Sequence, residues 1–187
     1  MRLFVSVDLG ELAPEIERLQ SLFEGADGLR FTDPEQAHVT LTYLGETDPE
    51  RVPEIETALR GAVEDAGVEP FRAAVGGLGV FPHPGYIRVV WVGIREDGGA
   101  GELRALHEAV EERTTTLGFE PDDHEFTPHA TLARMDHAGG KELVQEVIQT
   151  RDPDASTVRV KEIRLTESRL GSEGSEYDTV AAVELSS

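Results

Sequence analysis

The segment HVTL at residues 38–41 recurs as HATL at residues 129–132, 91 residues further along a chain of 187 residues. In an extended strand, side chains two residues apart share a face. The histidine and the threonine of each copy therefore point to one side, and the aliphatic residues between them point to the other. If an approximate two-fold axis relates the copies, both histidines and both threonines meet in one cleft.

This arrangement predicts a phosphate site formed by His38, Thr40, His129 and Thr131. Threonine hydroxyls donate to phosphoryl oxygens, and two imidazoles with pKa values near ~6.5 can supply an acid and a base at neutral pH. Two phosphate-facing histidines also suit in-line attack, which needs an acid and a base on opposite sides of the phosphorus. The alternative is a pair of ordinary half-buried strands whose polar side chains face solvent.

The wider sequence resembles a known family. With their flanks, HVTLTYLGE at residues 38–46 and FTPHATLAR at residues 126–134, the motifs resemble the two-histidine (2H) phosphoesterases. Within that superfamily the chain is similar to the RNA 2′,3′-cyclic phosphodiesterases, also called 2′-5′ RNA ligases. The resemblance begins at RLFVSVDL, residues 2–9, and extends through LTESRLGSEGSEY near the end of the chain.

The resemblance implies a bilobal α+β fold in which antiparallel sheets face a central cleft and helices lie outside. It implies hydrolysis of RNA 2′,3′-cyclic phosphate ends to 2′-phosphates, with reversible 2′-5′ RNA ligation as a second reaction at the same site, and it implies no cofactor and no metal. By resemblance, His38 is the proton donor to the leaving oxygen and His129 the proton acceptor. The expected partner is RNA with a 2′,3′-cyclic phosphate or a 2′-5′ linkage, bound by a monomer.

Two further residues are candidates for the cleft. Arg134 matches the arginine that follows the second motif of the family, and a guanidinium group suits a phosphate. It lies five residues after His129, so a straight strand would turn it to the opposite face, and a bulge or a strand end is required. A surface ion pair is the alternative. In the alternation of the first strand, Phe4 falls on the side that faces the cleft, so it is a candidate for stacking on a base. The alternative is an aromatic residue of the core.

Composition limits the remaining possibilities. There are 37 Asp and Glu residues against 17 Lys and Arg residues, for a net charge of −20, and lysine occurs only at positions 141 and 161. This charge balance resembles that of proteins from salt-in halophiles, and an acidic mesophilic protein is the alternative. It argues against a non-specific nucleic-acid binder, which would carry a stripe of basic residues. Cysteine is absent, and no segment has the apolar length of a membrane span or signal peptide. We expect a soluble cytoplasmic protein without a membrane contact.

The apolar pattern predicts one domain over residues 1–187, with halves at roughly 1–95 and 102–187 that each carry one motif. Helices are expected from Pro14, from Asp48 with Pro49, over residues 102–117 and over 141–150. Strands are expected near residues 3–9, 71–75, 86–94, 158–166 and 177–185. The glycine-rich segments 76–79 and 171–175 are predicted turns, and residues 96–101 a linker between the halves.

Two other functions remain open. A nucleotide-binding module on the same fold would use the cleft without turnover, but binding alone would not need paired proton-transfer groups. A cyclic phosphodiesterase could also act on a small nucleotide such as an ADP-ribose cyclic phosphate.

Overall fold

Nine antiparallel strands form one sheet in the computed structural model, which describes residues 1–171 and 174–185. The strands are β1 (Arg2–Asp8), β2 (Leu29–Phe31), β3 (His38–Glu46), β4 (Phe71–His83), β5 (Tyr86–Ile94), β6 (His129–Met135), β7 (Asp154–Val160), β8 (Glu162–Gly171) and β9 (Gly174–Glu184). The helices are α1 (Ala13–Ser21), α2 (Val52–Ala66), α3 (Gly101–Thr116) and α4 (Lys141–Thr150). The predicted α+β class with antiparallel strands is confirmed.

The sheet consists of two groups of four strands. The spatial order is β7-β4-β5-β6 followed by β3-β1-β8-β9, and the short β2 pairs with β6. Within the described residues, a single residue pair, Val39 with Ala130, joins the groups through β3 and β6. Each group therefore contributes one motif strand at the junction.

The two groups of strands do not coincide with the predicted halves of the sequence, residues 1–95 and 102–187. Strands β4 and β5, which precede residue 95, pair in the group that contains β6 and β7, whereas β8 and β9 pair with β1. Each group is thus assembled from both halves of the sequence. The segment 96–101 is not a linker, because a Cβ placed on Gly99 would lie 3.1 Å from backbone atoms of β4, so this segment packs on that strand.

Helix ends follow local sequence signals. Asp48 accepts a hydrogen bond from the Glu50 backbone N–H at 2.9 Å, but it caps a single 3₁₀ turn, and α2 begins at Val52. Gly67 ends α2 in the left-handed conformation that glycine adopts without strain. Helix α3 packs on α2 and β3, and α1 packs on β6 and β7. None of the helices in the described part of the chain is long and apolar enough to cross a membrane.

Other sequence predictions need correction. Residues 76–79 lie within β4 and do not form a turn. The predicted strand at 158–166 is two strands, β7 and β8, which lie at opposite sides of the sheet and meet in sequence at Lys161. For the predicted turn at 171–175, residues 172 and 173 lie outside the described residues. The strand β2 was not predicted.

Candidate active site

The junction between β3 and β6 brings the four motif residues together. Val39 pairs with Ala130, so the antiparallel register places His38 across from Thr131 and Thr40 across from His129. Val39 and Ala130 are fully buried on the core side, which turns the histidines and threonines to the opposite face. There they line a cavity of about 520 Å³. The predicted convergence of the two motifs is observed.

Both histidines are held in the same ring orientation. Nδ1 of His38 lies 2.9 Å from the Gln36 carbonyl oxygen, and Nδ1 of His129 lies 2.6 Å from the Thr127 carbonyl oxygen. A carbonyl oxygen only accepts, so Nδ1 carries the proton and Nε2 of the neutral ring is bare. Within the described residues, neither Nε2 has a hydrogen-bond partner. Each Nε2 is therefore available to donate or accept a substrate proton.

Aromatic rings fix the plane of each imidazole. Phe4 and Tyr177 lie 5.0 and 5.1 Å from His38 between ring centroids, and Phe81 and Trp91 lie 4.9 and 5.8 Å from His129. Phe4 faces the cleft, as its parity predicts, but it is only 4% exposed. Phe4 therefore packs on His38, and little of its ring is open to a base.

The threonine hydroxyls are also free. Thr40 and Thr131 are half-buried, and in the described part of the chain neither Oγ1 makes a hydrogen bond to the protein. Both can donate to an oxygen atom that enters the cavity between the histidines. Two bare ring nitrogens and two unpaired hydroxyls thus share one concave surface.

A β-bulge in each motif strand brings a further side chain to the cleft. In β3 the register shifts at Leu41, because Ser6 pairs with Thr40 and Val5 with Thr42. In β6 it shifts at Leu132 in the same way, because Trp91 pairs with Thr131 and Val90 with Ala133. Each bulge buries two consecutive residues and reverses the parity of the strand beyond it.

The bulge at Leu132 is the one that Arg134 requires. Arg134 lines the cavity, and within the described residues it forms no ion pair, which removes the surface salt bridge as an alternative. The corresponding residue after the bulge in β3 is Tyr43, which is 59% exposed and also lines the cavity. An arginine and a tyrosine therefore occupy equivalent positions on either side of the histidines.

Burial lowers the pKa of both histidines below the usual value. For His38, desolvation is opposed by the bond to Gln36 and by the negative charge of Asp8, its cross-strand neighbour, while the charge of Arg134 lowers the pKa further. For His129, desolvation is opposed by the bond to Thr127, while the charges of His38 and Arg134 lower the pKa further. Asp8 thus favours the proton on His38, and no carboxylate of the described residues does the same for His129.

Comparison with known proteins gives the family. Residues 9–171 match the 2′-5′ RNA ligase superfamily. This chain belongs to the 2′-5′ RNA ligase superfamily. It is 38% identical over 160 residues to an RNA 2′,3′-cyclic phosphodiesterase of Aeropyrum pernix, with 85% of this chain and 88% of the relative covered. It is 31% identical over 180 residues to one of Methanothermobacter thermautotrophicus, with 95% of each chain covered.

Solved structures have the same fold as this ligase-superfamily protein. A crystal structure of a protein from Thermus thermophilus superimposes with a TM-score of 0.77 at 29% identity and covers 99% of this chain and 98% of the other. A crystal structure of E. coli LigT complexed with 3′-AMP gives a TM-score of 0.78 at 21% identity, with 100% and 99% covered. The resemblance predicted from the two motifs is confirmed at the level of family and fold.

Two further cleft residues of this superfamily member stand outside the predicted site: Arg30 was not identified from the sequence, and Tyr177 is most simply a core or strand residue by its pattern, although the family resemblance places its position near the cleft. Arg30 lies on β2 opposite Arg134, lines the cavity and pairs with Asp136 at 3.2 Å. Tyr177 comes from β9, where its backbone N–H donates to Gln36 Oε1 at 3.0 Å. Both positions depend on pairing between distant segments. Tyr43 follows His38 by five residues, as Arg134 follows His129, and this equal spacing is the sequence signal that could have placed Tyr43 in the cleft.

Proposed function

We propose that this protein is an RNA 2′,3′-cyclic phosphodiesterase that opens the cyclic phosphate to a 2′-phosphate by acid–base catalysis with two histidines. The observation that carries the proposal is the pair of bare Nε2 atoms, from His38 and His129, in one cavity with two free hydroxyls. The superfamily assignment and the relatives named RNA 2′,3′-cyclic phosphodiesterase support the same activity.

In the proposed reaction, Nε2 of His129 accepts a proton from water as the water oxygen bonds to phosphorus. The bond from phosphorus to the 3′-oxygen breaks, and His38 gives its Nε2 proton to that oxygen. The product carries a 3′-hydroxyl and a 2′-phosphate. Each proton transfer contributes ~10²- to 10⁴-fold to the rate. When a 5′-hydroxyl replaces water, the same steps form a 2′-5′ linkage.

Electrostatics supports this division of roles. Burial and the charge of Arg134 lower the pKa of both histidines. At His38 the negative charge of Asp8 partly opposes this shift, which favours the proton on the general acid, whereas at His129 the charge of His38 adds to the shift, which favours a neutral general base. The substrate is an anion, which raises the pKa of whichever histidine it contacts. Bound substrate therefore favours protonation of the histidines, and Asp8 adds to this effect at His38.

The remaining cleft residues bind the phosphate and the nucleotide. Thr40 and Thr131 donate to the two non-bridging oxygens, where negative charge accumulates in the transition state. Arg134 supplies a charge that no carboxylate of the described chain neutralises. This local positive charge attracts RNA to a protein whose net charge is −20. The exposed ring of Tyr43 replaces Phe4 as the candidate for base stacking.

The deciding experiment is product analysis with an RNA oligonucleotide that ends in a 2′,3′-cyclic phosphate, in the presence of EDTA. We expect a 2′-phosphate at an unchanged rate, and a His83→Ala variant, altered at the exposed end of β4, should behave as the wild type. A 3′-phosphate product, or activity that needs an added divalent metal, would contradict the mechanism. A parallel assay with ADP-ribose cyclic phosphate separates RNA from small-nucleotide substrates, and tight binding without turnover of either would indicate a binding module.

A further inference from the structure

A second cluster of titratable side chains lies behind the motif strand β3, on the helix side of the sheet. It contains His107 and Glu111, one turn apart on α3, and Asp122 in the segment between α3 and β6. One ligand atom from each residue lies within 4.8 Å of the other two. None of the three residues lines the catalytic cavity.

The orientation of His107 leaves one ring nitrogen free to bind a metal ion. Its Nδ1 lies 2.7 Å from the Leu41 carbonyl oxygen and donates to it, so the bare nitrogen is Nε2. Histidine ligands of metals commonly donate their other N–H to a backbone carbonyl, which fixes the tautomer and the ring direction. Phe126 stacks on the imidazole with a centroid distance of 4.2 Å and an interplanar angle of 6°.

The bare nitrogen of His107 has no hydrogen bond within residues 1–171 and 174–185, although the residue is only 8% exposed. Its nearest carboxylate oxygen is Glu111 Oε2 at 3.7 Å, beyond hydrogen-bond distance. Two ligands bound about 2.1 Å from one ion at tetrahedral or trigonal angles are about 3.4–3.6 Å apart. The observed separation is therefore close to that of two ligands of a shared ion.

The other motif strand shows what a purely structural residue would look like at this position. At the equivalent bulge in β6, the Leu132 carbonyl accepts a hydrogen bond from the buried Gln20 side chain at 3.0 Å. A neutral amide is thus sufficient to satisfy a bulge carbonyl. At Leu41 the carbonyl accepts from the Thr42 hydroxyl at 2.7 Å and also from an imidazole at 2.7 Å, whose second nitrogen lies beside two carboxylates.

The carboxylates lie close together without a cation of the described chain between them. The Asp122 backbone N–H donates to Glu111 Oε2 at 3.3 Å, which holds the two side chains on the same side of α3. Like charges in so small a cluster repel each other. A bound cation would neutralise this repulsion.

We propose that His107, Glu111 and Asp122 bind one divalent transition metal ion of the Zn²⁺ class, with water in the remaining position. The imidazole nitrogen favours such an ion over Mg²⁺ or Ca²⁺, which prefer oxygen ligands. The ion takes no part in the hydrolysis. It joins the segment after α3 to the helix and, through the Leu41 carbonyl, holds the bulge that directs Tyr43 into the cleft.

The test is Zn²⁺ binding by the chelator-treated full-length protein, measured by calorimetry and thermal unfolding in excess Mg²⁺, which occupies non-specific carboxylates. We expect one Zn²⁺ per chain and a rise in Tm, because an ion that binds only the folded state stabilises it. Co²⁺ in its place should give visible d–d absorption, which reports ligation directly. The absence of a saturable site with one ion per chain would overturn the proposal.

Three variants locate the site. His107→Gln places an amide at the bulge in β3, as Gln20 does at the bulge in β6. The variant keeps a hydrogen-bond donor for the Leu41 carbonyl but has no imidazole nitrogen to bind the metal ion. Asp122→Asn changes an exposed residue and decides the question alone if the first variant does not fold. Each should weaken Zn²⁺ binding at least about tenfold. The matched control is His124→Gln, an exposed histidine beside Asp123 that lies outside the cluster. Equal affinity in all three variants and the wild type would overturn the proposal.

Discussion

Gly79→Ala should damage catalysis from a position outside the cavity. Gly79 lies in β4 opposite Trp91, and a Cβ added there would lie 2.2 Å from Cζ2 of the indole ring. To restore van der Waals contact, the ring must move by more than about 1 Å. Trp91 packs on His129 at 5.8 Å and on Phe81 at 5.2 Å. The displacement therefore reaches the proposed general base.

Two magnitudes follow for this substitution. Overpacking of this kind costs about 1–3 kcal/mol of the free energy of unfolding, partly offset by the lower chain entropy of alanine in the unfolded state. A misplacement of a catalytic group by ~1 Å can reduce the rate by ~10²-fold. We expect kcat to fall by about this factor while the protein remains folded. The assays are kcat and KM with a cyclic-phosphate oligonucleotide, and Tm.

Gly101→Ala is the matched control. Gly101 is the first residue of α3, and a Cβ there would have no neighbouring atom within 4 Å. This variant should have wild-type activity and equal or higher stability. If Gly79→Ala matched it in both activity and Tm, the packing of Trp91 would not position His129, and the aromatic support described for the histidines would be wrong.

Three further predictions concern charge. As KCl increases from tens of millimolar toward molar concentrations, the Debye length falls to about 3 Å and the repulsion within a chain of net charge −20 is screened, so Tm should rise. A flat or falling Tm would contradict the halophilic interpretation. Arg134→Ala should lower kcat/KM by about 10- to 100-fold through loss of a charge-assisted phosphate contact, whereas the control Arg60→Ala, on the exposed face of α2, should have no effect. Because burial lowers the pKa of both histidines, kcat/KM should be maximal on the acid side of pH ~6.5. Asp8→Asn removes a negative charge that favours protonated His38, so the alkaline limb of the pH profile of kcat/KM should move to lower pH. An unchanged alkaline limb would count against His38 as the general acid.

Local periodicity was sufficient to predict the centre of the site. The two-residue alternation in each motif places His38 with Thr40 and His129 with Thr131 on one face, and the structure has this arrangement. The same alternation showed that Arg134 needs a bulge, and the bulge is present at Leu132. These conclusions depend on neighbours within one strand, where the geometry is the same in every sheet.

Long-range pairing was beyond the same reasoning. Nothing in the spacing of β4 and β5 indicates that they pair with β6 and not with β1 and β3, so the sequence does not show how its two halves contribute to the sheet. The glycines at 76–79 predict a turn, whereas Gly79 lies in a strand because the indole of Trp91 fills the space of a side chain. For Phe4, the parity was correct, but burial under His38 and Tyr177 depends on β9, which lies far away in sequence.

The central claim is that His38 and His129 transfer protons to and from one phosphate. The most direct measurement is the single-turnover rate of His38→Ala, His129→Ala and the double variant, with substrate dissociation constants determined separately. Each single variant should lose ~10²-fold or more in rate while affinity stays within about tenfold, because Thr40, Thr131 and Arg134 still hold the phosphate. The double variant should be little worse than the slower single variant, since the two groups act in one step. Near-wild-type turnover in both single variants would show that the two motifs are only structural strands, and the proposed activity would have to be abandoned.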